Sequence, residues 1–171
     1  QSRSFLRDHP DWAQRNIKGD PALFGFGDAF WISENSEDVW IAPYAPEWRK
    51  LYMERIRQIA ATGIDGVYID IPYWMTHFDK WEDTWASFDP YTVAEFKKRT
   101  GFDAFTDFTP GDWNDPEFIA WVDFRISSMT EFMAEIDKNV KSVNSLCKTI
   151  AEIYPGIGEE VPRVGADVYD M

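Results

Sequence analysis

Two acidic residues stand where short apolar runs end. Asp70 closes Val67-Tyr68-Ile69 and Glu152 closes Thr149-Ile150-Ala151, and a proline follows each within three residues, Pro72 and Pro155. β-Branched residues favour strands and proline cannot donate to a sheet ladder, so each acid marks the C-terminal end of a strand. Neighbouring strands of one parallel sheet run ~4.8 Å apart, which would bring both carboxyl groups to the same end of the sheet. Two carboxyls ~5–5.5 Å apart suit retaining cleavage of a glycosidic bond, one as nucleophile and the other as general acid/base, whereas a wider gap suits inversion. Each acid also has a structural reading: Asp70 as a helix cap or turn former, Glu152 as an ion-pair partner of Arg125 or Lys148. Asp65 precedes Gly66 at the opposite end of its strand, where residues serve stability, and is not assigned to chemistry.

Aromatic residues crowd the same places. Tyr73 and Trp74 follow Asp70, Tyr154 follows Glu152, and Trp40 lies in the run Val39-Trp40-Ile41-Ala42. Nine Trp, seven Tyr and thirteen Phe exceed what a core of this size needs, which leaves two readings, one large aromatic core or rings that meet a ligand. On the second reading Trp40, Tyr73, Trp74 and Tyr154 offer stacking faces to sugar rings, and His77 binds substrate hydroxyls. Neither His9 nor His77 has a metal-ligand partner at a recognisable spacing, so no metal site is assigned, and the two-carboxylate chemistry calls for no cofactor.

The elements that must position these residues follow from punctuation and period. Residues 1–30 are rich in turn signals with one short helix at about 10–15. Val39 to Ala42 reads as a short strand ended by Pro43. Pro46 opens a helix to about 62 with Trp48, Leu51, Tyr52, Ile56, Ile59 and Ala60 on one face, and Gly63 ends it. The strand at 65–71 comes next. An irregular aromatic segment, about 73–115, then holds one helix from Pro90 to Thr100, and a connection of that length is usually functional. Asp115-Pro116 caps a long helix to about Asn144, strand 148–154 follows, and 165–170 reads as a fourth strand. Strand–helix–strand order with short connections implies parallel strands and right-handed crossovers.

Composition bounds the partners. A net charge of −13 argues against nucleic acid and anionic membrane surfaces, and no apolar run approaches the ~20 residues of a membrane span. Cys147 is the only cysteine, so neither an intrachain disulfide nor a cysteine zinc site is available. Beginning at Gln1 without a signal-like run and ending just after a strand-like stretch, the sequence reads as a piece of something longer.

The stretch Gly63-Ile64-Asp65-Gly66-Val67-Tyr68-Ile69-Asp70 resembles the strand-four motif of the alpha-amylase superfamily and related barrel glycoside hydrolases, whose final Asp is the nucleophile. Thr149-Ile150-Ala151-Glu152-Ile153-Tyr154-Pro155-Gly156 resembles their strand-five motif, whose Glu is the acid/base. His9-Pro10-Asp11-Trp12, the Pro46-to-Asp70 stretch and Phe124-Arg125 resemble a group of bacterial glycosyl hydrolases of similar barrel type. The amylase motif has an arginine two residues before its nucleophile, where this chain has Tyr68, so the resemblance is to the broader family and does not imply a starch substrate. It implies an α/β fold, a parallel (β/α) TIM-barrel-like domain over 1–171 with an aromatic loop insert at about 73–115. At 171 residues against the ~250 of a complete barrel, this would be an incomplete barrel holding central strands about 3 to 6. A homo-oligomer or the missing remainder would cover its open flank. The implied function is hydrolysis of a poly- or oligosaccharide with Asp70 as nucleophile and Glu152 as general acid/base. The competing class is a non-catalytic carbohydrate-binding or scaffolding barrel.

Overall fold

The computed structural model describes residues 3–24, 38–70, 72–75, 85–153 and 161–167. Helix α1 (Arg3–Asp8) leads into a two-stranded antiparallel sheet of β1 (Leu23–Phe24) and β2 (Asp38–Val39). Helix α2 (Pro46–Ala60), strand β3 (Gly66–Ile69), helix α3 (Pro90–Thr100), the long helix α4 (Pro116–Val143), strand β4 (Lys148–Ala151) and one turn, α5 (Val161–Val164), follow.

Local chemistry accounts for the helix ends. Pro46, Pro90 and Pro116 each occupy a first-turn position, where a missing N–H costs nothing. The Asp89 side chain accepts from Thr92 N at the start of α3, and Asp115 accepts from Glu117 N and Phe118 N at the start of α4. Gly101, at φ 86°, supplies the left-handed residue that stops α3.

With 28 residues, α4 is ~42 Å long and serves two cores. Its C-terminal half packs Phe132, Met133, Ile136 and Val140 against Trp48, Met53 and Ile56 of α2 and against Val67 and Ile69 of β3. Its N-terminal half packs Phe118, Trp121, Val122 and Phe124 against Trp85, Phe88, Phe96, Ala104 and Phe108. The second core is almost wholly aromatic, with edge-to-face contacts such as Phe96–Trp121 at 4.8 Å between centroids. Much of the 73–115 segment therefore forms a core of its own and is not a loop laid over a sheet.

Strands β3 and β4 pair in parallel, as the crossover order implies, with Gly66 opposite Lys148 and Ile69 opposite Ala151. The incomplete barrel is not found: among the described residues this sheet has two strands, not four. The expected strand at 39–42 does not join it. The backbone of that run is engaged instead by the N-terminal segment, with Gln14 N donating to Trp40 O at 2.7 Å, Ala42 N to Trp12 O at 2.7 Å and β1 pairing with β2. The same contacts hold Ala13 and Arg15 in isolated antiparallel bridges where a short helix is expected. The fourth strand is also absent over 165–167. Gly165, at φ 68°, ends α5 with its N–H on Val161 O, and residues 168–170 lie outside the described residues. Tyr68 and Ile150, on the sheet face away from the helices, are 58% and 51% exposed, whereas the interior of a barrel would bury them. No helix among the described residues is long and apolar enough to cross a membrane.

Candidate functional site

The parallel register continues one rung past the strands, since Glu152 N donates to Ile69 O at 2.8 Å. Side chains alternate along a strand, so Tyr68 and Asp70 of one chain segment share a face with Ile150 and Glu152 of the other. Val67 and Ile69 point the opposite way, into the core beneath α2 and α4. Asp70 and Glu152 thus leave the C-terminal end of the sheet side by side, from backbones ~4.8 Å apart, on the face the helices leave open.

The two carboxyls interact directly. Asp70 is held above the usual carboxylate range, first by partial burial, then by a hydrogen bond to Glu152 and by its charge. The Tyr68 phenol is pushed up to about 12 by the neighbouring Glu152 carboxyl, with desolvation and the charge of Asp70 adding to it. The three side chains form one cluster on the open face of the strand pair.

The ion-pair partners expected for Glu152 are engaged elsewhere. Arg125 does not reach for Glu152: it is fully buried, with Nε on Ser87 Oγ at 2.7 Å and its two terminal nitrogens on Pro162 O and Arg163 O at 2.6 and 2.5 Å. Desolvation, helped by Arg163, lowers its pKa to about 9, so it stays cationic at neutral pH among carbonyls and the Trp74 and Trp85 rings. Lys148 pairs in register with Gly66 at the other end of β4. Asp70 caps no helix; it follows β3 directly.

The aromatic candidates are placed differently from the expectation. Trp74 is completely buried, with Nε1 donating to Arg125 O at 2.9 Å and its ring against Gly165, where a Cβ would lie 2.3 Å from Cδ1. Tyr73 is buried with Val164 and Ala166, and both Trp40 and Ile153 pack on that cluster. Neither Tyr73 nor Trp74 presents a face on which a sugar could stack. Trp40 is half-buried and is the one described ring of the set with an accessible part. His77 and Tyr154 lie outside the described residues. Trp74 N donates to Val164 O at 2.8 Å, so the chain leaving β3 is tied to α5, and Arg125 ties α5 to the Ser87 turn.

Tyr68 is the functional candidate that sequence reasoning passed over. Its signal was present: two residues before Asp70 in a period-two strand, it must share the acid's face. Among the described residues no group of three His, Cys, Asp or Glu side chains is placed to hold a metal ion. No protein-family model matches the chain, and neither a curated protein nor a solved structure matches it at a significant level.

Proposed function

We propose that this chain cleaves or transfers at a glycosidic bond in a poly- or oligosaccharide, with Asp70 and Glu152 as its two catalytic carboxyls. The observation that carries the reading is their in-register delivery from adjacent parallel strands onto one open face, where no cation among the described residues pairs with either acid. Such a pair supplies both a nucleophile and a proton donor within reach of one anomeric carbon.

Asp70 and Glu152 stand opposite one another in the parallel register, and a retaining pair works at ~5–5.5 Å between carboxyls. Their backbones are already ~4.8 Å apart, and rotation about staggered side-chain torsions opens the gap without moving the sheet. A sugar entering between them would place its anomeric carbon and leaving-group oxygen within reach of both acids. The resemblance assigns attack to Asp70 and proton transfer to Glu152.

The test is hydrolysis by the intact protein of a panel of polysaccharides, followed by reducing-sugar release, with Asp70→Asn and Glu152→Gln beside the wild type. Each amide keeps the shape and loses the charge or the proton, so each variant should lose at least ~10²-fold in turnover on a natural sugar while retaining its fold. Full activity in both variants would refute the proposal. Sugar binding without turnover in the wild type would favour the non-catalytic carbohydrate-binding reading instead.

A further inference from the structure

We propose that the groove between α2 and α4 is a second binding site, one that takes a carboxylate or phosphate group carried by a small organic ligand, with Arg57 and Lys50 as its cationic seat. It lies on the helix side of the sheet, opposite the face of Asp70 and Glu152, and stands independently of the hydrolase reading.

Helix α4 offers this groove one side chain per turn, Glu131, Glu135 and Asn139 at i, i+4 and i+8, and each meets an arginine. Arg99 donates from both terminal nitrogens to Glu131 at 2.8 Å and from Nε to Glu95 at 2.9 Å. Arg49 donates from Nε to Glu135 at 2.6 Å and from Nη1 to Pro43 O at 3.0 Å, with Nη2 also on Glu135. Every nitrogen of these two forks is engaged, and each positive charge faces a carboxylate. The third rung breaks the pattern. Arg57 Nη1 donates to the side-chain oxygen of Asn139, a neutral amide, and among the described residues no carboxylate pairs with Arg57. An amide satisfies one N–H and cancels none of the charge, so the rest of the half-buried fork is left to the groove.

Lys50 adds the second cation. Lys50, Met53 and Arg57 follow on α2 at i, i+3 and i+7, share one face and all line the groove, with Met53 buried between the two charged residues. Lys50 is exposed, and among the described residues nothing pairs with it. Glu54, one turn from each cation along α2, does not line the groove and is in no ion pair among the described residues. Two uncompensated cations on one helix face, one a planar fork and one a flexible ammonium, suit an oxyanion even in a chain of net charge −13.

The size of the groove says what carries the anion. Its volume is about 570 Å³, within the ~300–1,000 Å³ range of small-molecule sites and more than a bare ion fills. Pro46, Met53 and the Tyr44 ring line it beside the charges and offer surface to the body of the ligand.

The experiment is a ¹H–¹⁵N NMR titration of the intact protein at low, matched ionic strength, with galacturonate against acetate and glucose 6-phosphate against inorganic phosphate. Saturable shifts should appear at Lys50 to Arg57 and at Asn139, and at least one sugar anion should bind several-fold more tightly than its bare counterpart. The two arms tell a carboxylate ligand from a phosphate one. Arg57→Gln and Lys50→Gln should each weaken binding by about tenfold or more, the worth of a hydrogen bond to a charged group. Arg55→Gln removes the same charge from an exposed position on α2 outside the groove, and should leave affinity unchanged. Asn139→Asp keeps the shape and completes the third ion pair, so it should abolish binding while circular dichroism shows the fold retained; this variant decides the matter should Arg57→Gln fail to fold. No saturable shift with any probe, bare ions bound as tightly as the sugar anions, equal weakening by Arg55→Gln, or an Asn139→Asp protein that binds like the wild type would each overturn the proposal.

Discussion

Asp89 offers a test of how far burial controls charge in this chain. Its carboxyl is completely buried at the start of α3; one oxygen accepts from Thr92 N at 2.9 Å, while Oδ2 and the Thr92 hydroxyl have no hydrogen-bond partner. Desolvation pushes the group up to about 6 from 3.8, against the hydrogen bond from the Thr92 backbone N–H that favours the charged form. Below about pH 4 the carboxyl is neutral in folded and unfolded chains alike and carries no penalty. Between about pH 4 and 6 the unfolded chain has released the proton and the folded chain has not, so stability falls as pH rises, and above that window the full cost persists. A difference of about two pKa units corresponds to up to ~3 kcal/mol. Asp89→Asn keeps a capping oxygen and removes the charge, so this slope should vanish. Urea unfolding of both proteins at several pH values from about 4 to 8 should show the variant gaining on the wild type by up to ~3 kcal/mol across the window. Parallel stability profiles would refute the assignment of a buried, pH-linked charge to Asp89.

Gly165→Ala places a methyl 2.3 Å from the Trp74 ring on a backbone at φ 68°, and should cost ~2–4 kcal/mol, read as a lower urea midpoint with perturbed tryptophan fluorescence. A stability within ~0.5 kcal/mol of wild type would mean that α5 does not sit against Trp74. Asp115→Ala removes the side chain that accepts from Glu117 N and Phe118 N, and should cost ~1 kcal/mol, or ~2–4 °C in thermal midpoint for a chain of this size. No shift, measured by circular dichroism, would show that backbone or solvent caps α4 equally well.

What could be read from the chain without its fold is what lies within a turn of the deciding residue. Pro46, Asp89-Pro90, Gly101 and Asp115-Pro116 mark helix ends because a cap is made with atoms two or three residues away. The strand ends at Asp70 and Glu152 were legible for the same reason, and strand alternation already placed Tyr68 on the face of Asp70. The barrel was not legible in this way. It assumed that Val39 to Ala42 would seek the edge of β3, whereas residues 12–24, far from that run in sequence, reach its backbone first. The fate of the aromatic rings is decided the same way. Trp74 is a plausible platform by position and a core residue in fact, because Gly165, ninety-one positions later, has no side chain to keep the ring out. Arg125 looks like a counter-ion for Glu152 until the carbonyls of Pro162 and Arg163 come within its reach. Burial and partnership are sums over contacts made across the chain, and only the tertiary structure supplies those terms.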